Sequence, residues 1–219
     1  MKKIFLILIV IFIFTLTGCS TSSLEEATDT IKNKNFTIFV NETIVYEFED
    51  QSNNIQTNNY ASQYLINVDK DKMLYTKDNI KKYYEQIDDK IYLYLQKNNE
   101  WVLNNTTVVN EFKFSQLDFL NFETDQNYVQ KGNQCNLDKE YVNNHFKETL
   151  NRYCILTFGD FMANYSMEID DYSILLKDNK ISMINIEIEL NNLDYTNKEK
   201  YKITLTYQFS NVGVTVVSK

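Results

Sequence analysis

Apolar residues fall along this chain in three regimes, each predicting a different kind of element. Over residues 4–16 they are continuous, with Lys2 and Lys3 in front and Thr17-Gly18-Cys19 behind. As a helix at ~1.5 Å per residue this run spans only about 20 Å, short of the roughly 30 Å of a bilayer core. It therefore reads as the hydrophobic part of a secretory signal rather than a membrane-crossing helix. A short helical regime follows. Ser23-Leu24-Glu25-Glu26 has the layout of a capping box, with Leu24, Ala27 and Ile31 on one side and Asn33-Lys34-Asn35 as the stop. From Phe36 the period becomes two.

Phe36, Ile38, Val40, Ile44, Tyr46 and Phe48 share one parity, with Thr37, Asn41, Glu47 and Glu49 among their neighbours, which predicts a long strand with one apolar face. A polar turn over residues 50–54 leads to the same alternation at Tyr60, Tyr64, Ile66 and Val68. Segments rich in Tyr and Ile at 73–77, 80–87 and 91–95 then follow, separated by Lys77-Asp78-Asn79 and Asp88-Asp89, with Lys97-Asn98-Asn99-Glu100 leading to Trp101-Val102-Leu103. Turns this short dictate antiparallel neighbours, since a parallel pair needs a long crossover. The first half thus predicts a β-meander.

Ser115-Gln116-Leu117-Asp118 predicts the cap of a second helix, with Phe114 stapled to Phe119. A third helix is expected from Asp138 over residues 139–152, its apolar positions Val142, Phe146 and Leu150 recurring every fourth residue and Leu137 stapled to Val142. Strands then return at Tyr172, Ile174 and Leu176, and turn through Lys177-Asp178-Asn179-Lys180. Ile181 and Met183 give way to Ile184, Ile186, Ile188 and Leu190, a phase slip that predicts a bulge. Tyr201, Ile203, Leu205, Tyr207 and Phe209 alternate in turn, and Asn211-Val212-Gly213 shifts the apolar phase to Val214 and Val216, predicting a second bulge or bend. Bulges curve sheets, so the expected class is α+β: a strongly curved antiparallel sheet with a few short helices covering its apolar face.

Composition narrows the partners. The formal charge of -8 falls to -10 once Lys2 and Lys3 leave with the signal, which argues against nucleic acid and against attachment to an anionic bilayer through a basic patch. With 4 Gly and no Pro, no phosphate-cradling glycine loop is available. His145 is the single histidine, which excludes a multi-histidine zinc site and leaves a structural role favoured over a catalytic one. Asp69-Lys70-Asp71 lacks the Gly and Glu of a calcium loop and reads as a turn. Glu168, Asp170 and Asp171 are the one candidate carboxylate cluster, weighed against plain solvated charge. No catalytic residue, metal or cofactor is expected. The 16 Tyr and 14 Phe can fill a core, line a pocket or form a partner surface, and alternation alone does not separate these.

Leu16-Thr17-Gly18-Cys19 resembles the lipobox of bacterial lipoproteins. That resemblance implies cleavage after residue 18 and a lipid on the Cys19 sulfur (diacylglycerol, with palmitate-type acyl chains). Residues 1–18 are then the signal peptide, 19–23 a lipidated tether and 24–219 a single domain. Two acyl chains, at ~0.8 kcal/mol per buried methylene, hold a protein firmly on the outer, extracytoplasmic face of the cell membrane. Cys135 and Cys154 flank the expected helix, about 20 Å long, so free thiols are favoured over a bridge that needs Cα atoms within ~7 Å.

Together with the helix entering Asn35-Phe36-Thr37-Ile38, the hairpins at Tyr83-Tyr84 and Ile91-Tyr92-Leu93-Tyr94 ending at Trp101, and the closing Tyr207 to Gly213, the chain resembles bacterial lipoproteins of the LolA and LppX half-β-barrel fold. The likeness extends roughly over residues 24–217 and includes small lipoproteins of Gram-positive bacteria. It implies an apolar concavity that holds acyl chains, and so a non-catalytic, membrane-anchored binder of a lipid or other hydrophobic small molecule. The alternative is a structural or interaction lipoprotein of the cell envelope, with a protein partner and a packed core that takes no ligand.

Overall fold

The computed structural model describes residues 23–32, 35–108, 128–194 and 198–219. Their elements, in chain order, are α1 (Leu24–Lys32), β1 (Asn35–Glu49), β2 (Ile55–Asp69), β3 (Lys72–Lys77), β4 (Ile80–Ile87), β5 (Lys90–Lys97), β6 (Glu100–Val108), β7 (Tyr128–Lys131), β8 (Gln134–Leu137), α2 (Lys139–Phe158), a 3-10 helix (Asp160–Asn164), β9 (Tyr165–Lys177), β10 (Lys180–Asn192) and β11 (Lys200–Ser210). The class is α+β. All eleven strands join one open, curved antiparallel sheet in the order β6-β5-β4-β3-β2-β1-β11-β10-β9-β8-β7. Strands consecutive in the chain are neighbours except β6 and β7, which form the two edges, while β1 and β11 pair across the middle.

The expected alternation decides which face is buried. Val40 lies between Tyr64 of β2 and Tyr207 of β11, and the same row continues through Ile184 of β10 and Ile174 of β9 to Cys135 of β8. Every one of these side chains is buried in one continuous core with α1 and α2. Helix α1 packs against β10 and β1, and α2 against β9. Their caps are the expected ones: the Glu26 N-H donates to Ser23 Oγ at 3.2 Å, and the Tyr141 N-H to Asp138 Oδ1 at 2.9 Å.

Two bulges mark the second half of the sheet. One lies between Ile181 and Met183 of β10, just before the slip expected after Met183, and keeps Ile181 and Ile184 on the same buried face. A second, at Asp170 in β9, does the same for Ile169 and Tyr172. The Asn143 amide of α2 bridges this bulge, accepting the Ile169 N-H at 3.0 Å and donating to the Ile169 carbonyl at 2.9 Å. A bulge leaves backbone groups unpaired, and here one side chain satisfies both.

Several expectations are corrected. Helix α2 runs to Phe158 rather than Arg152, so Cys154 lies inside it. Cys135 and Cys154 are free, as expected, and both are buried; burial, then the nearby Glu42 charge, pushes the Cys154 thiol up to about 12. Two α-helices are described, one of them 20 residues long. The helix expected at Ser115 lies outside the described residues. Strands β7 and β8 and the first half of β9 carry no expectation from the sequence.

The closing segment differs most. After Gly213, at φ 83°, the chain leaves the end of β11 and crosses the outer face of the sheet. Val214 and Val216, the predicted inward positions, are 73% and 83% exposed, whereas Val217 is 3% exposed and Thr215 is buried. The reason is polar. Asn35 Oδ1 accepts the Thr215 N-H at 2.8 Å, Asn35 Nδ2 donates to the Thr215 carbonyl at 3.0 Å and to Asp69 Oδ1 at 3.0 Å, and the Thr37 and Thr215 hydroxyls meet at 3.1 Å. Further along, Lys219 Nζ lies 3.6 Å from the Tyr94 ring centroid and 5.1 Å from that of Tyr83, and pairs with Glu85 at 2.9 Å. Four extended residues reach ~13 Å and three strand spacings cover ~14 Å, so 215, 217 and 219 step across the sheet from β1 to β4. That strap buries Tyr83 on the outer face.

Asn35→Ala removes the two bonds to Thr215 and the one to Asp69, and should lower stability by about 2–3 kcal/mol in urea unfolding, at ~1 kcal/mol net per bond. A loss below ~0.5 kcal/mol would show that the strap is not held there.

Candidate functional site

The two helices cover only part of the inner face. Over β1 and β9 to β11 the wall is closed: Ile188 and Leu205, which alternation alone leaves open as pocket or core, are core. On β3 to β5 the inner row changes character. Met73 is buried, but Tyr75, Tyr84, Ile91 and Leu93, which follow it in register, are half-buried, and the main packing of the two described helices is elsewhere, on β1, β9 and β10. At the end of the sheet where β1 finishes, the inner face stays half open too. Tyr46 stacks on Phe48 at 5.1 Å and on Tyr201 at 4.6 Å, and Tyr165 meets Tyr201 edge-on at 5.3 Å. The Tyr46 and Tyr165 hydroxyls both donate to Glu199, at 2.9 and 2.8 Å. Tyr60, one row deeper on β2, is 57% exposed.

Between the closed wall and the half-open one stands a carboxylate. Glu42 is 4% exposed on the inner face of β1, opposite Ser62 of β2 and Leu205 of β11. The Tyr153 hydroxyl, reaching from the last turns of α2, donates to its Oε2. Tyr64 lies in hydrogen-bonding contact with Tyr153, and Tyr75, Tyr207 and Cys154 feel the Glu42 charge. Among the described residues no Lys or Arg pairs with Glu42, and the Ser62 hydroxyl beside it is buried with no hydrogen-bond partner. A buried polar atom left unpaired costs about 1–3 kcal/mol. Burial is the main cause that drives the Tyr153, Tyr64 and Tyr207 phenols far above their ordinary value, reinforced for Tyr153 by its tyrosine neighbours and then by Glu42.

The residues singled out in the sequence fall elsewhere. Cys19 lies outside the described residues. Glu168 and Asp170 both contact the Lys139 ammonium, at 2.7 and 3.1 Å, on an exposed surface, and Asp171 faces Glu187 across the β9–β10 ladder. His145 is exposed, its Nδ1 2.9 Å from the Tyr141 carbonyl and its ring 4.2 Å from the Tyr141 ring. Asp69, Lys70 and Asp71 form the β2–β3 turn. Among the described residues no group of three or more His, Cys, Asp and Glu is placed to hold a metal, and no helix is long and apolar enough to cross a membrane. Among the described residues, two open surface grooves, of about 620 Å³ beside Tyr128, Lys131 and Asn136 and about 430 Å³ between Asn144, Lys147 and Ser166, have mixed polar and apolar linings.

Glu42 itself is absent from the residues the sequence singles out. The signal is there, because 42 shares the parity of Val40 and Ile44 and is the one charged residue on that face of β1. Ser62 and Tyr153 join it only through the sheet register and the helix docking.

No protein-family model matches the chain, and no curated protein matches it. Among solved structures, the ywiB protein from Bacillus subtilis is similar at 8% sequence identity over 80% of this chain and 94% of that one, with a TM-score of 0.23, too remote to bear on fold or function.

The buried phenols set an alkaline limit. Tyr153, Tyr172 and Tyr207 are raised in the folded protein, so their contribution is complete below the unfolded value near pH 10 and is lost as pH rises above it. Each should remove about 1.4 kcal/mol per pH unit there. The phenolate absorbance of these residues should appear only with unfolding, in one cooperative step, and a gradual titration of every tyrosine in the folded protein would contradict this.

Proposed function

We propose that this chain is a lipid-anchored, non-catalytic lipoprotein on the extracytoplasmic face of the cell membrane, whose domain is a half-barrel holding a lipid or another hydrophobic ligand against its concave face. The observation that carries the ligand half is the inner wall of β3 to β5, where Tyr75, Tyr84, Ile91 and Leu93 remain half-buried while the inner face over β9 and β10 is packed shut. Half-covered aromatic and aliphatic walls with a few convergent polar groups are what ligand sites are made of. The half-barrel is supported by the strand order, in which, among the described residues, β6 and β7 are the only consecutive strands that do not pair, as in a meander barrel opened at one seam. The anchor rests on the sequence around Cys19 and on its resemblance to a lipobox.

A second proposal, an envelope interaction protein without a ligand, is favoured by a different observation: α1 and α2 already fill the hollow over β1, β9 and β10. Its partner would be a protein of the envelope.

Cys19→Ala should abolish acylation and leave the precursor uncut, read by metabolic labelling with a fatty acid and by the size of the product. Labelling and processing that survive the substitution would remove the anchor from the proposal.

The full chain purified in mild detergent should carry lipid detectable by native mass spectrometry, and added acyl ligand should raise its melting temperature by mass action. Tyr84→Asp, on the half-buried wall, should weaken that shift in a folded protein, whereas Leu205→Asp, in the closed core, should unfold it. A folded chain with no lipid and no shift would favour the protein-partner proposal.

A further inference from the structure

Two polar groups on the inner face lack what their chemistry calls for, and they stand side by side. A carboxylate has about four acceptor positions. Glu42 receives one bond, from Tyr153, and among the described residues nothing else donates to it. Ser62 lies directly across the ladder, where paired residues have Cβ atoms roughly 4.5–5.5 Å apart, and its buried hydroxyl has no partner. Among the described residues no ion pair compensates Glu42: Lys77 sits over the Tyr64 ring, 5.7 Å from its centroid. Both groups are at the border of the half-open wall, one row from the exposed Tyr60.

From this juxtaposition we infer that Glu42 and Ser62 form the polar end of the ligand site, and that they select a hydrophobic molecule whose head is a hydrogen-bond donor, a primary ammonium or a hydroxyl, over one ending in a carboxylate. This rests on the hydrophobic-ligand proposal and makes it specific. A donor head satisfies the free Glu42 oxygen and the Ser62 hydroxyl together. A free fatty acid brings a second anion against a carboxylate in a low-dielectric wall and adds acceptors where acceptors are already in excess. Tyr153 is the positioning residue, since its hydroxyl occupies one Glu42 oxygen and aims the other.

The test uses the full chain and three short, soluble probes with the same tail: octylamine, octanol and octanoate. Apparent affinities from melting shifts at pH 7 should place octylamine and octanol at least tenfold tighter than octanoate. Glu42→Gln should shrink the advantage of octylamine over octanoate, whereas Glu187→Gln, the same charge change on the exposed outer face, should preserve it. Ser62→Ala removes an unpaired hydroxyl, so it should fold at least as well as the parent and lose affinity for octanol. It keeps the question answerable if Glu42→Gln fails to fold. Equal or tighter binding of octanoate, an octylamine advantage over octanoate unchanged in Glu42→Gln, or an octanol affinity unchanged in Ser62→Ala, overturns the head-group assignment while leaving ligand binding in place. A structural water filling the pair, seen as no effect of either variant on any probe, overturns it as well. Failure of all three probes to bind a folded chain overturns the ligand proposal itself.

Discussion

The pairing of β1 with β11 is the constraint on which this fold rests. Two meanders run outward from it, β2 to β6 on one side and β10 to β7 on the other, and each is built from local hairpins. Local hairpins are cheap in chain entropy; joining the first strand to the last is not, because it closes a loop of most of the chain. Only when Thr37 faces Ser210 and Glu47 faces Lys200 does the row from Tyr64 through Val40, Tyr207 and Ile184 become continuous. The strap, the Asn35 clamp and the placement of Glu42 beside Leu205 all presuppose that ladder.

Burial on the inner face follows from the same geometry. The helices are tied to the second meander: α2 docks on β9, where Asn143 bridges a bulge, and α1 lies against β10. The first meander receives its covering on the outer face instead, from Thr215, Val217 and Lys219 across β1 to β4. Each half of the sheet is thus stabilised from a different side, which explains why the inner wall of β3 to β5 stays half-buried in a domain whose other half is closed.

Much of this was legible in the residues. Alternation located the strands and their buried parity, the Ser23 and Asp138 caps started the helices where they begin, and the slip from Met183 to Ile184 marked a real bulge. The closing segment was misread, because Val214 and Val216 look like strand positions until Asn35 and Thr37 are known to offer polar partners on the outer face. Tyr165, Met167 and Ile169 are three spaced apolar residues interrupted by Glu168 and Asp170, too short a pattern to separate from a loop without β10 beside it. At the candidate site only parity was available: it pointed Glu42 inward, but Ser62 and Tyr153 reach it through register and docking, which are not local properties of sequence.

The hairpins offer a caution about where strain lies. Among the described residues nine non-glycine positions have positive φ, and eight of them are Asn or Asp, from Asn53 to Asn211. With so few glycines in the chain, turns that elsewhere take Gly are filled by the side chains that tolerate the left-handed region best. Backbone outliers are commonly followed to active sites. In this protein they trace the rims of the meander instead, a signature of restricted residue supply distributed over many corners, so a search for function guided by unusual torsions would lead away from the concave face.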